Sequence, residues 1–116
     1  MLADQLIHLR PDDVLLLMSY GVPYPEIRVV LAEAKRCGAR TILITDAEGG
    51  ENASVVDLVI PVRRGRPGRM ALHGATLVCL EALTLSMSAL TPSASLTSLD
   101  QLDRLRTELR TSLEAG

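Results

Sequence analysis

The sequence contains no phenylalanine, no tryptophan and only two tyrosines, Tyr20 and Tyr24, so any core it builds is aliphatic. Its two cysteines, Cys37 and Cys79, stand alone without a CxxC spacing, which excludes a disulfide framework and a cysteine-based zinc site. No grouping of His, Cys, Asp and Glu has metal-ligand spacing, and there is no P-loop or Ser–His–Asp order, so neither a metal nor a cofactor is expected. Charge of one sign is scarce too: a net charge of -2 argues against a general binder of nucleic acid or anionic membranes. No apolar run reaches the ~18 residues of a membrane span and the first residues lack a signal-peptide pattern, so a cytoplasmic chain is expected. What is present is ordinary for a globular chain. In 116 residues, 47% are apolar and 22% charged, which is enough to bury one domain core and too apolar for disorder.

Leu2, Leu6 and Leu9 share one helical face in the opening segment, which ends at Pro11 and the Asp12–Asp13 pair. Val14, Leu15, Leu16, Leu17 and Met18 form a continuous apolar run, the pattern of a strand covered on both faces. After the Pro- and Gly-rich residues 19–25, Pro25 and Glu26 suit the first turn of a helix. Ile27, Val30, Leu31 and Ala34 make its inner stripe, and Gly38 is its left-handed stop. Residues 41–45 read as a second buried strand, a polar link leads to a short helical turn, and residues 58–60 read as a third strand ended by Pro61. A basic loop over 63–69 precedes a long helix over 70–90, apolar almost all round and therefore expected to be buried. Thr91, Pro92 and Ser93 make a break, and a last helix is expected from Thr97, with Leu99, Leu102, Leu105, Leu109 and Leu113 on one face.

Strands alternating with helices give the fold class α/β: a partial doubly wound parallel sheet of about three strands, flanked by helices. Three strands are few for a sheet that must be covered on both faces and whose edges carry unpaired backbone. The run from Val14 has the pattern of an interior strand, yet nothing before it can pair beside it. Either another chain supplies the missing strands or residues 1–116 are part of a larger domain, and the second is expected, with a terminal helix over 97–114.

In open α/β sheets, ligands bind outside the carboxyl ends of the strands. Residues 19–25, 45–52 and 63–69 reach that edge. The first segment offers the Ser19 hydroxyl, the backbone N–H groups around Tyr20 and Gly21 and, past Tyr24, the start of a helix, a combination that holds anions. Thr45 closes the second strand, and Arg63 and Arg64, with Arg66 and Arg69 beyond, can pair with a phosphate. The expected ligand-binding set is Ser19, Tyr20, Gly21, Tyr24, Thr45, Arg63 and Arg64. Each has a plainer reading: a strand-end hydroxyl, a turn glycine, tyrosines roofing the core, a solvated arginine loop, and Thr45-Asp46 capping the next turn. His73 and Glu81 would lie about 12 Å apart along one helix, too far for a catalytic pair. A packed or hydrogen-bonded His73 and a structural His8 are expected. Only His73 and Glu48 could serve as a base at this edge, and neither sits in a catalytic motif, so no catalytic residue is assigned.

The order of these segments resembles the second half of a SIS (sugar isomerase) domain, in the version found in MurR/RpiR-type bacterial transcription regulators. The likeness rests on Asp12 through Ser19, the Ala34-Lys35-Arg36-Cys37-Gly38-Ala39 helix end, Ile44-Thr45-Asp46 and Val56-Asp57-Leu58, and spans residues 2–90 with a similar terminal helix. It implies a flavodoxin-like fold whose first strand, like the regulators' helix-turn-helix, would lie upstream of these residues. The family's first loop reads Ser-x-Ser-Gly-x-Thr. Here it reads Ser19-Tyr20-Gly21-Val22-Pro23-Tyr24, which keeps Ser19, loses an N–H donor at Pro23 and is closer to an aromatic, arginine-rich variant.

The resemblance implies a non-enzymatic sensor of a sugar phosphate or related carbohydrate derivative. Such a sensor would be a homo-oligomer that reaches DNA only through a domain outside this chain. Two other readings stand beside it: a phosphosugar isomerase-like fragment, and a dimerisation module built on the two apolar helices.

Overall fold

The alternation of apolar runs and amphipathic segments becomes, in the computed structural model, eight elements. They are α1 (Leu2–Leu6), β1 (Val14–Met18), α2 (Pro25–Cys37), β2 (Arg40–Thr45), a 3-10 turn (Glu51–Val55), β3 (Leu58–Pro61), α3 (Gly74–Leu90) and α4 (Pro92–Ala115). The structure describes residues 2–47, 49–66 and 69–116. The chain divides into two units, Met1–Thr76 and Leu77–Gly116.

The first unit is a three-stranded parallel sheet in the order β1-β2-β3. Leu15 faces Thr41, Leu17 faces Leu43 and Met18 faces Ile44, while Ile42 faces Leu58 and Ile44 faces Ile60. Because side chains alternate along a strand, Leu15, Leu17, Thr41 and Leu43 share one face of the sheet. On that face Leu43 is 2% exposed, Val30, Leu31 and Ala34 of α2 are buried too, and Ile44, on the other face, is fully buried. As expected, α2 starts with a proline in its first turn and stops at Gly38, whose φ of 81° is left-handed and whose N–H closes onto the carbonyls of Ala34 and Lys35.

Two hydrogen-bonded joints fix the amino ends of the strands. The Arg40 N–H donates to the Asp13 carbonyl, tying β2 to the entry of β1. The Thr41 N–H and hydroxyl both donate to Asp57 Oδ2, at 2.7 and 3.1 Å, and the Asp57 N–H donates back to Thr41 Oγ1. Asp57 thereby sets where β3 begins beside β2.

The structure corrects the expected bounds of three helices and the expected burial of one of them. Among the described residues β1 lies at one edge of the sheet, paired with β2, and on its second face Val14, Leu16 and Met18 are 58%, 42% and 51% exposed, in keeping with a strand whose further neighbours are not among them. The run has the composition of a strand covered on both faces, and the described residues leave the Val14, Leu16 and Met18 side partly open. The long helix begins at Gly74, not Met70, and is mostly exposed: only Thr76 is buried, while Leu77, Val78, Leu85, Met87 and Leu90 lie open. Its all-round apolarity marks a helix meant for cover that no described residue supplies.

The last helix begins at Pro92 rather than Thr97, because proline suits a first turn and Ser93, Ala94, Ser95 and Leu96 all tolerate a helix. The break is confined to Thr91, whose hydroxyl bonds back to the Met87 carbonyl. α1 is shorter than the 2–9 pattern suggests. Among the described residues no single helix is long and apolar enough to cross a membrane.

Candidate functional site

Parallel pairing brings the carboxyl ends of all three strands to one edge. Ser19 follows β1 and continues the pairing, its N–H donating to the Ile44 carbonyl, so that it lies beside Thr45. Val62 follows β3 and donates to the Thr45 carbonyl at 2.8 Å. The loops leaving these positions therefore start side by side, and Tyr20, Gly21, Asp46 and Arg64 meet above them.

At the centre is Asp46. Its Oδ1 accepts from the Gly21 N–H at 3.1 Å, and its Oδ2 accepts from Arg64 Nε and Nη2 at 3.2 and 3.1 Å. The Gly21 N–H above all, helped by the Arg64 guanidinium, holds the Asp46 carboxyl below its ordinary value of 3.8 against the opposing effect of burial, so it is ionised at neutral pH. The Asp46 and Arg64 side chains are only 27% and 20% exposed, which makes this pair the best shielded ion pair among the described residues. Gly21 has a φ of 66°, a conformation that costs a side-chain-bearing residue free energy and that glycine adopts freely.

Arg64 is held from below as well. Its guanidinium carbon lies 4.2 Å from the centroid of the Tyr20 ring, a cation–π contact. The Tyr20 hydroxyl shares a 2.5 Å hydrogen bond with Thr76 Oγ1 at the start of α3, and the His73 ring meets Tyr20 edge-on at 6.1 Å. The Leu72 N–H donates to the Arg64 carbonyl, closing the basic loop on itself. Three strand ends, one loop and the first turn of α3 thus fix one arginine.

Of the expected set, Ser19, Tyr20, Gly21, Thr45 and Arg64 are gathered at this edge. Ser19 and Thr45 are buried, and the Thr45 hydroxyl accepts from the Ala47 N–H, the plainer capping role. Tyr24 and Arg63 are not gathered: Tyr24 is 68% exposed at the N-cap of α2 and Arg63 is exposed in the loop. His73 precedes α3 rather than lying within it, is exposed, and meets the Tyr20 ring edge-on. Glu48, the other residue considered as a base, lies outside the described residues.

Sequence reasoning missed Asp46 as the hub and Thr76 as the anchor of Tyr20. The signal for Asp46 was available: it stands one residue past β2, on the edge where Gly21 and Arg64 arrive. Thr76 carried no such signal, because it meets Tyr20 across 56 residues of sequence. Among the described residues no cluster could hold a metal ion. A hollow of about 970 Å³ lies at the opposite, amino edge of the sheet, lined by Arg28, Lys35, Arg40, Glu51 and Asp57 among others. Its acids are already engaged, Glu51 with Arg28 at 2.7 Å and Asp57 with Thr41.

No family model and no curated protein sequence matches the chain. Among solved structures, it is similar to the sugar isomerase domain of the RpiR transcription factor from Sphaerobacter thermophilus, with a TM-score of 0.75 and 23% identity over 89% of this chain. The likeness gives the chain the sugar isomerase fold, and the chain spans 57% of that structure's length.

Proposed function

We propose that this chain is a ligand-sensing part of a bacterial transcription regulator of the MurR/RpiR kind, taking a small phosphorylated sugar or related anion at the carboxyl edge of its sheet. The observation that carries this reading is the fold shared over 89% of the chain with the sugar isomerase domain of an RpiR transcription factor. The chemistry of the edge agrees with it. A backbone N–H in a left-handed turn and a fixed arginine are the donors that phosphates take, and Ser19 adds a hydroxyl beside them.

The role is sensing rather than turnover. Proton transfer between sugar carbons needs a base fixed within hydrogen-bond reach of the substrate. The one imidazole near this edge, His73, is exposed, and its ring contact is with Tyr20. DNA contact would then belong to another part of the parent polypeptide, and the setting would be the cytoplasm. Self-association would use the exposed apolar faces of α3 and α4, where Leu85, Leu90, Leu99 and Leu109 lie open.

Calorimetric titration with hexose and pentose phosphates, free sugars and inorganic phosphate tests the reading. One sugar phosphate should bind more tightly than inorganic phosphate or any free sugar. Ser19→Ala should weaken it about tenfold, equivalent to about 1.4 kcal/mol. Absence of any preference for a sugar phosphate overturns the proposal.

A further inference from the structure

We infer that the Asp46 carboxylate is an internal anion occupying the seat of the ligand's phosphate, and that binding proceeds by displacing it from the Gly21 N–H and the Arg64 guanidinium. The inference rests on the reading of this edge as a site for a phosphorylated ligand and adds how the site is kept closed. The two strongest anion donors at the edge are both taken. Gly21 gives its N–H to Oδ1, and Arg64 gives Nε and Nη2 to Oδ2. A phosphate arriving at this edge meets a cation already neutralised and an amide already bonded.

The four groups differ in how firmly they are held. Gly21 is fixed by a left-handed turn that presents its N–H to the edge. Arg64 rests on the Tyr20 ring at 4.2 Å, and that ring is anchored by its hydroxyl to Thr76. Both donors therefore keep their place when the acceptor leaves. In this exchange Asp46 is the part that moves: it is the first residue past β2, its side chain is 27% exposed, and a change of its side-chain rotamer would release both donors. A phosphate group brings more oxygens and more charge than a carboxylate to the same donors, so exchange favours the ligand. A free sugar offers hydroxyls only and cannot replace the ion pair. Asp46 thus sets a threshold that only an anionic ligand passes.

The test uses the full chain and inorganic phosphate as the probe, with a hexose 6-phosphate in parallel. Asp46→Asn removes the internal charge and should raise phosphate affinity at least tenfold at pH 7. Adding Arg64→Ala to that variant should abolish the gain. Unchanged or weaker phosphate binding by Asp46→Asn overturns the inference, as does equal gain for free sugars, the result expected if Asp46 merely blocks the edge.

A measurement on the unmodified chain stands if the variants do not fold. In NMR titration with phosphate, the Gly21 amide and the Arg64 Nε–H resonances should move together with the Asp46 carboxyl carbon. A Gly21 amide that stays still at saturation overturns the displacement. Asp46→Asn gaining phosphate affinity with no preference for the sugar phosphate keeps the displacement and removes the sensor reading. Selective sugar-phosphate binding indifferent to Asp46→Asn does the reverse.

Discussion

Asp57 and Asp46 are both carboxylates bonded to backbone N–H groups of a different segment, and their chemistry sets how the chain answers acid. The Thr41 N–H, then the Thr41 hydroxyl, hold Asp57 below its ordinary value of 3.8, as the Gly21 N–H and Arg64 do for Asp46. A carboxyl whose folded value lies below its unfolded one contributes stability that is complete above the unfolded value. That contribution is lost as pH falls through the folded value. Stability should therefore decline from about pH 5 downward. Asp57→Asn and Asp46→Asn should each lower the urea midpoint at pH 7 and flatten the acid limb of the midpoint-versus-pH curve, and a limb as steep as that of the unmodified chain would contradict this. Gly38 offers a second check on a single position. Its φ of 81° ends α2, and an added Cβ would meet only Pro11 Cβ at an ordinary 3.9 Å. Gly38→Ala should cost about 1–2 kcal/mol from backbone strain alone, read from urea denaturation.

Among the elements, β2 carries the core and β1 frames it. Leu43 is 2% exposed at the centre of the sheet, and truncating it leaves a cavity that neighbours fill only partly. Leu43→Ala should cost about 2–5 kcal/mol. Leu16, one strand over on the open face and 42% exposed, should cost far less when truncated, and similar losses at both positions would mean that the open face is covered in solution.

The contrast also shows which elements were legible in the sequence. The ends of α2 could be read because Pro25 and Gly38 act through local backbone geometry, and the strands because their apolar runs are bounded by turns. The exposure of α3 could not, since composition records what a segment is suited to meet and not whether a partner is present. The site divides the same way. Ser19, Gly21 and Arg64 were visible as donors at a sheet edge, while the hub role of Asp46 depends on three loops converging, and Asp46 alone reads as a turn cap.

For the molecule as a whole, each unit leaves apolar surface uncovered. In the sheet unit, β1 lies at the edge of the described strands and has five apolar residues with no charge and no proline to discourage pairing, the devices that usually blunt an edge. Its open face adds Val14, Leu16 and Met18, and Leu58 on β3. In the helical unit, Leu99, Leu102, Leu105, Leu109 and Leu113 of α4 are all exposed. Fully burying a leucine contributes about 1.5–3 kcal/mol, so pairing over only a few such residues outweighs much of the entropy of association. Sedimentation of the chain should therefore be concentration-dependent. The two surfaces can be told apart by charge: Leu16→Lys acts on the sheet, and Leu102→Lys with Leu105→Lys acts on α4. If the helices join copies of the chain, as the regulator reading holds, the α4 double variant should sediment as a monomer while Leu16→Lys still associates. The opposite result would place the contact at the edge of β1, and a monomer at every concentration would remove self-association from the proposed function.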